Sequence, residues 1–251
     1  MAATPTVFEQ RAVAFLDILG FTALINQAER EPSKLAELFG LRTVLDSHVR
    51  WNNNSLSSSV PAAVKPRYIF ISDSIILSVP LSHPPNFDGL GIVVAKTIEI
   101  AHKLLEMGFL LRGGIAIGSV WHDDRNIFGT GYISAVNGEK SADHPRIVLS
   151  DEAKAHWQAS NLAGTSSMCR RDGGSLIVDT LMPFYIRETE IHGRIEEAFS
   201  QYRAWIITRL SELRPGSARS KWEWIALAFN RAVTQHDVNV GPIDAFPLPQ
   251  T

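Results

Sequence analysis

The chain has 251 residues, of which 45% are hydrophobic and 20% are charged. These proportions are typical of a globular protein with a substantial hydrophobic core. The formal net charge of −2 excludes the strongly basic surface that draws a protein onto nucleic acid. We therefore expect a small ligand or another protein as the partner, and no nucleic acid.

Three features indicate the cellular compartment. The single cysteine, Cys169, excludes an internal disulfide and is consistent with a reducing compartment. Residues 1–10 lack the basic segment followed by an apolar segment that is typical of a secretory signal. The longest apolar stretch, 90–111, is interrupted by charged residues and favours an amphipathic helix over a membrane span. The sequence therefore predicts a cytoplasmic protein without a membrane partner.

The first half of the chain alternates strands and helices. Hydrophobic periodicity and turn residues predict, in chain order, a buried strand at 12–18, a tight turn at Gly20, helical structure to about residue 50, a loop at 52–66, a hairpin at 67–79, a loop at 80–89, a helix at 90–107 and a strand at 109–120.

The second half adds further elements to this pattern. It predicts a helix at 132–142, a strand at 146–150, a helix at 151–158, a strand ending near Cys169, a strand at 175–181 and amphipathic helices at 188–213 and 220–236. The order β-α-β-β-α-β predicts an α+β, ferredoxin-like core. We expect a catalytic domain at 10–185 and a helical extension at 186–251 that packs on this core or on a partner subunit.

Two carboxylates occupy unusual positions in this pattern. Asp17 lies near the end of an apolar strand, and Asp73 lies at the tip of the hairpin. Carboxylates are rarely buried unless they are paired or bind a metal ion. In a β-α-β-β core the first strand lies beside the hairpin, so both aspartates can converge at one edge of the sheet. The alternative is that Asp17 caps the next helix and Asp73 forms a turn.

Converging carboxylates are suited to hard divalent cations, and a pair of such ions can clamp a displacement at phosphorus. The segment that follows Asp17, with Gly20, Phe21 and Thr22, can direct backbone N–H groups and a helix N-terminus at a phosphate. The sequence thus predicts a site for Mg²⁺ or Mn²⁺ and a phosphorylated substrate at this edge.

Four segments resemble motifs of class III adenylate and guanylate cyclases, in the same order. They are FLDILGFT at 15–22, YIFISDSIILSV at 68–79, LLRGGIAIGSV at 110–120 and IFGTGYISA at 127–135. The resemblance covers about residues 10–150. It implies that Asp17, the backbone carbonyl of Ile18 and Asp73 hold two divalent metal ions, Mg²⁺ or Mn²⁺. It also implies that Arg112 contacts the triphosphate, for which a surface ion pair is the alternative, and that the active sites form between the subunits of a homodimer.

The positions that contact substrate in these enzymes depart from the purine pattern. Purine cyclases commonly carry a lysine where this chain has Ile69, and an acidic residue where it has Asn126. The asparagine and arginine that act in the transition state correspond to Ile133 and Asn137. Ile69, Asn126 and Asn137 are therefore expected substrate-binding positions, but they do not favour ATP.

A second resemblance is to the pyrimidine cyclases of the bacterial Pycsar anti-phage system. It rests on GTGYISAVNGEKSADHPRIVLSDEA at 129–153, DGGSLIVDTL at 172–181 and KWEWIALAFN at 221–230. It implies conversion of UTP to 3′,5′-cyclic UMP and pyrophosphate, with the product activating a separate effector protein. The amide of Asn126 can bond either pyrimidine, so a cytidylate cyclase that makes cyclic CMP is an alternative.

Other interpretations remain open at this point. The chain is alternatively a purine cyclase with unusual base contacts, a cyclase-like domain that senses nucleotide without turnover, or an interaction module based on its C-terminal helices. Individual residues also have structural alternatives. Glu139 and Arg146 are candidates for an ion pair, and Trp222 and Trp224 are candidates for core or interface anchors as well as for base-stacking platforms. His122 with Asp123 and Asp124 is a candidate metal site, for which an exposed polar loop is the alternative.

Overall fold

A computed structural model describes residues 7–49, 67–81, 88–160, 166–183 and 194–244. Within these ranges the chain is α+β, with one mixed sheet, helices on both of its faces and two long helices at the C-terminal end. The predicted order β-α-β-β-α-β is confirmed for the first four long strands. The expected loop at 52–66 lies outside the described residues, as do 82–87 of the expected loop at 80–89.

The elements are numbered along the chain. The strands are β1 (Glu9–Leu19), β2 (Arg67–Ile71), β3 (Ser74–Pro80), β4 (Leu110–His122), β5 (Ile127–Phe128), β6 (Ile147–Leu149), β7 (Cys169–Asp172) and β8 (Ser175–Val178). The helices are α1 (Phe21–Ala28), α2 (Pro32–Val49), α3 (Gly89–Glu106), α4 (Thr130–Lys140), α5 (Asp151–Ala159), α6 (Arg194–Glu212) and α7 (Ser217–Gln235).

The sheet has the strand order β2-β3-β1-β4-β6-β8-β7, and β5 pairs with the end of β4. The strands β4 and β6 run parallel, whereas β1 is antiparallel to both of its neighbours. The register sets Asp17 opposite Ser74 on one side and opposite Arg112 on the other. The end of β1, the start of β3 and the start of β4 therefore meet at one edge of the sheet.

Two hydrophobic clusters cover the two faces of the sheet. The larger cluster joins the sheet to α1, α2, α3 and α5, and the smaller cluster packs α4 against β1, β3 and β4. Glycines allow α4 to approach the sheet closely. A Cβ on Gly114 would lie 2.2 Å from the carbonyl oxygen of Ala135, and a Cβ on Gly118 would lie 2.7 Å from the backbone nitrogen of Gly131. Only glycine permits these contacts, so the Gly-rich part of β4 serves packing.

The C-terminal helices form a third cluster, which also contains Leu105 of α3 and Leu110 of β4, with Leu19 of β1 packed against it. His102 of α3 is buried and bonds the hydroxyl of Tyr202 on α6 through Nδ1 at 2.9 Å. Of the two expected positions for the extension, the described residues place it on the core of the same chain.

Several predicted boundaries were wrong. The helical stretch after Gly20 is two helices, and Pro32 begins the second because its ring fits the first turn of a helix. The last strand ends at Val178 and not at residue 181. Cys169 begins a strand and does not end one. The burial of Cys169 raises the pKa of its thiol. Residues 188–193 of the first predicted C-terminal helix lie outside the described residues.

None of the helices in the described part of the chain is both long enough and apolar enough to cross a membrane.

Candidate active site

Asp17 and Asp73 lie beside each other at the edge of the sheet. The backbone N–H of Ile18 donates to the backbone carbonyl of Asp73 at 3.0 Å, which ties the hairpin tip to the end of β1. Burial raises the pKa of Asp17, and the charge of Asp73 raises it further, while Arg112 and Lys221 lower it. The two carboxylates are therefore close enough to repel each other, as the sequence predicted from their strand positions.

The hairpin tip has an unusual backbone. Ser72 has a φ of 57°, which is uncommon for a residue other than glycine. Ser72 and Asp73 alone connect Ile71 to Ser74, which are opposite each other in the β2–β3 ladder. This short turn holds the half-buried Asp73 beside the end of β1, where Asp17 lies. Such left-handed residues cost stability and cluster at functional sites.

Arg112 lies between three partners. Its Nη2 donates to Oδ2 of Asp17 at 3.1 Å and forms an ion pair with Glu139 of α4. Its Nη1 donates to the carbonyl of Ala142 at 3.4 Å. Its Nε is buried and finds no hydrogen-bond partner among the described residues. The guanidinium is thus held against Asp17 and partly neutralises it.

Glu139 is the member of this group that the sequence did not identify. The expected ion pair between Glu139 and Arg146 was wrong, because Arg146 instead pairs with Asp172 at 3.1 Å. The side chain of Glu139 is 9% exposed, and α4 brings it to Arg112 through the close glycine contacts with β4. The sequence signal is an acidic residue in a helix whose other charged residue is Lys140, and this signal does not specify which arginine is the partner.

The segment after Asp17 presents backbone N–H groups. Gly20 has a φ of 89°, which turns the chain sharply, and its carbonyl accepts the first helical bond from Leu24 at 3.1 Å. No side chain caps the N-terminus of α1. Phe21 packs into the larger cluster, and Thr22 is exposed. The first N–H groups of α1 therefore stay open to an anion near Asp17.

These groups form a donor set that suits a divalent cation bound together with phosphate. The set comprises the carboxylates of Asp17 and Asp73 and the carbonyl of Ile18. No cluster of three or more His, Cys, Asp or Glu occurs in the described ranges. Mg²⁺ commonly binds one or two carboxylates plus substrate phosphates instead of a complete protein cage. The residues present fit such an ion.

Among the described residues, none of the other expected substrate positions forms a hydrogen bond with Asp17, Asp73 or Arg112. Ile69 packs in the small cluster under α4. Asn137 is exposed on α4, as is Ile133 with 58% exposure. Asn126 is exposed in the turn after β4, so the length of this strand separates it from Arg112 by roughly 30 Å.

The sequence suggested that His122 lies in an exposed loop, and this suggestion was wrong. It is 1% exposed at the end of β4, and its Nδ1 lies 2.6 Å from the hydroxyl of Ser78. The buried Arg11 also donates to Ser78, through Nε at 2.8 Å. Burial and two nearby arginines lower the pKa of His122 to about 3. This network lies at the end of β1 remote from Asp17.

Comparison with known proteins gives the following results. No protein-family model matches the chain, and no curated protein matches it. Solved structures do match. One is the monomeric guanylyl cyclase domain of the RhoGC fusion protein from the aquatic fungus Blastocladiella emersonii, at 12% identity and a TM-score of 0.41. This match covers 70% of the present chain and 96% of the fungal domain.

Two further structures are similar. The catalytic core of a rhodopsin–guanylyl cyclase with converted specificity, in complex with ATPαS, is 16% identical with a TM-score of 0.38, covering 61% of this chain and 83% of that core. An adenylate/guanylate cyclase/hydrolase from Silicibacter pomeroyi is 15% identical with a TM-score of 0.39, covering 68% of this chain and 95% of its own.

Proposed function

We propose that this protein is a nucleotide cyclase that converts a nucleoside triphosphate to a 3′,5′-cyclic monophosphate and pyrophosphate. The observation that carries the proposal is the convergence of Asp17 and Asp73 at one edge of the sheet, with Arg112 in contact with Asp17. An enzyme of this kind needs two carboxylates for metal ions and a cation for phosphate at a single location.

Asp17, Asp73 and the carbonyl of Ile18 would hold Mg²⁺ or Mn²⁺. When bound, such ions lower the pKa of the ribose 3′-hydroxyl and neutralise charge on the phosphates. The open N–H groups at the start of α1 would bind a phosphate oxygen, because a helix N-terminus favours negative charge. The left-handed Gly20 turns the chain between the end of β1 and these N–H groups.

Arg112 would donate to phosphate oxygens as negative charge accumulates on the leaving pyrophosphate. Glu139 of α4 holds the guanidinium in place. A metal ion bound to Asp17 would replace the present interaction of Arg112 with that carboxylate. Glu139 is therefore a positioning residue in the proposal.

Residues that contact the base would come from a second copy of the chain. Within one chain, the length of β4 separates Asn126 from Arg112 by roughly 30 Å, and the resemblance to class III cyclases implies a homodimer. Two inactive variants, Asp17→Asn and Asn126→Ala, should then restore part of the activity when they are mixed. Sedimentation of the wild-type protein as a monomer at assay concentration would exclude this arrangement.

For the substrate we propose a pyrimidine nucleotide, UTP first and CTP second. The support is the resemblance of residues 129–153 to the Pycsar cyclases, together with Ile69 and Asn126 at the positions where purine cyclases read the base. A cyclic pyrimidine messenger would act on a separate effector protein in anti-phage defence. A nucleotide sensor without turnover is the second candidate, because Ile133 and Asn137 replace the transition-state asparagine and arginine.

The test is incubation of the purified protein with Mn²⁺ and ATP, GTP, CTP or UTP in separate reactions, with mass spectrometry of the products. We expect cyclic UMP, or else cyclic CMP. The Asp73→Asn variant should lose at least about 100-fold in rate, since metal ions supply several kcal/mol to such reactions. Asp124→Asn, at an exposed aspartate beyond β4, is the matched control and should retain the wild-type rate.

Three other results would revise the proposal. A product from ATP or GTP alone would make the protein a purine cyclase. Tight binding of a triphosphate without any product would favour the sensor. A wild-type rate in Asp73→Asn would exclude the role given to the two aspartates.

A further inference from the structure

Helix α7 lies against the same strand ends that carry the candidate site. Ile225 of α7 shares an apolar cleft with Leu110, Leu111 and Pro145. Trp224 stacks nearly parallel to the ring of His144, with centroids 6.1 Å apart and an angle of 11°. These contacts fall on the neighbours of Arg112 in β4 and on the 142–146 segment, whose Ala142 carbonyl also accepts from Arg112.

Lys221 is placed by these contacts. It precedes Trp224 and Ile225 by three and four residues, so it lies on the same face of α7 one turn toward the N-terminus. Its side chain is half-buried. No carboxylate in the described part of the chain forms an ion pair with it. The contacts of Ile225 set this face of α7 against the start of β4, next to Arg112. The effect of Lys221, which lowers the pKa of Asp17, agrees with this placement.

The charges at the site leave a role for this lysine. Asp17, Asp73 and Glu139 bring three negative charges, and Arg112 is already in contact with two of these carboxylates. A triphosphate would add a further polyanion. A lysine carries three N–H donors and a full charge on a flexible stem, so a lysine that forms no ion pair with a carboxylate of the described residues can serve as a ligand for a terminal phosphate.

We propose that Lys221 binds the polyphosphate of the substrate, so that the C-terminal helical extension supplies part of the candidate active site. This inference rests on the proposed function in that it takes a nucleoside triphosphate as the ligand of the Asp17–Asp73 edge. It goes beyond the metal and arginine roles already assigned, because those all lie in the first 140 residues.

The experiment uses inorganic tripolyphosphate as the probe, with the full chain in Mn²⁺ and isothermal titration as the readout. This probe has neither base nor ribose, so its binding does not depend on which nucleotide is cyclised. Lys221→Met should weaken binding about 10- to 100-fold, the range expected for a hydrogen bond to a charged group. Lys221→Arg should recover most of the affinity. Arg231→Met, which removes an exposed cation from the same helix, should bind as the wild type does.

The outcomes separate this inference from the proposed function. Equal binding by Lys221→Met and the wild type would overturn the inference, and so would equal losses in Lys221→Met and Arg231→Met. A loss in Lys221→Arg as large as in Lys221→Met would overturn it too, because the site would then not depend on a cation. If tripolyphosphate binds through Lys221 but none of the four triphosphates is cyclised, the polyphosphate site stands and the cyclase proposal fails.

Discussion

At the scale of single residues, Asp17 combines a proposed functional role with a cost in stability. Its pKa is raised by burial and by Asp73, so the folded protein favours the protonated carboxyl more than the unfolded chain does. The stabilisation from this preference is present below the ordinary pKa of an aspartate and is lost as pH rises through the raised value. At neutral pH the ionised Asp17 therefore destabilises the metal-free protein, and a bound cation would reverse this effect.

We predict that Asp17→Asn leaves the thermal stability of the metal-free protein at pH 7 unchanged or raises it. Asparagine has nearly the same shape and removes the buried charge. Mn²⁺ with tripolyphosphate should raise the melting temperature of the wild type but not that of Asp17→Asn. Thermal denaturation with and without these additions is the measurement, and Asp124→Asn is the control. A full metal-dependent shift in Asp17→Asn would contradict the assignment of Asp17 as a ligand.

His122 gives a second prediction at this scale. Its pKa falls from an ordinary 6.5 to about 3 in the folded state, so the native protein keeps this ring neutral. Its contribution to stability is complete above pH 6.5 and is lost as pH falls toward 3. The loss should reach up to about 1.4 kcal/mol per pH unit within this window.

The measurement is urea denaturation of the wild type and of His122→Asn between pH 7 and pH 4. Asparagine keeps a polar atom near the position of Nδ1 but does not titrate. The difference in free energy of unfolding between the two proteins should shrink as pH falls. A difference that is constant over this range would show that His122 does not titrate as proposed.

At the scale of elements, the contact between α4 and β4 determines where Glu139 lies. We predict that Gly114→Ala lowers the free energy of unfolding by about 1 to 3 kcal/mol, as overpacking commonly does. The cause is the added Cβ, which would lie 2.2 Å from the carbonyl oxygen of Ala135. Gly174→Ala is the matched control, because its Cβ would meet nothing within 4 Å. Equal urea midpoints for the two variants would contradict this account.

The elements also show what the sequence could predict. Strand β1 and the β2–β3 hairpin are local patterns with strong hydrophobic runs, so the positions of Asp17 and Asp73 followed from them. The pair formed by Arg112 and Glu139 could not be predicted in the same way. It depends on how closely α4 approaches β4, and the glycines that permit this approach are also typical of turns and phosphate loops. Likewise, nothing near His122 in sequence indicates Ser78 or Arg11, which lie on other strands.

At the scale of the whole molecule, the buried hydrogen bond between His102 of α3 and Tyr202 of α6 joins the C-terminal helices to the core. The other ring nitrogen of His102 determines the direction of this bond. Nε2 of His102 bonds the carbonyl of Met182 at 2.9 Å. A carbonyl only accepts, so Nε2 carries the proton and Nδ1 accepts from the hydroxyl of Tyr202. Burial lowers the pKa of His102, which is consistent with a neutral ring.

We predict that Tyr202→Phe destabilises the protein by about 1 to 3 kcal/mol, because it leaves the buried Nδ1 of His102 without a donor. Tyr132→Phe on α4 is the control, since the hydroxyl of Tyr132 has no hydrogen-bond partner among the described residues. Thermal and urea denaturation of both variants measure the effect. If Tyr202→Phe were as stable as the wild type, the hydrogen bond between α3 and α6 would be of no consequence for stability.

The position of the extension could be predicted from sequence only as two alternatives. Amphipathic helices such as α6 and α7 show an apolar face, but the face alone does not specify the surface that it covers. The cluster with Leu19 and Leu110 decided between the core of the same chain and a partner subunit. Lys221 had no sequence signal of its own, because a lysine on an amphipathic helix is usually solvated.

The placement of α7 also has a consequence in time during protein synthesis. Asp17 leaves the ribosome before Lys221, which follows only after 204 further residues (221 − 17). At roughly 5 to 20 residues per second, this interval is about 10 to 40 s. A nascent or prematurely terminated chain would hold both aspartates but lack the last cation of the site. If both proposals hold, an unfinished copy of this protein would produce no cyclic nucleotide.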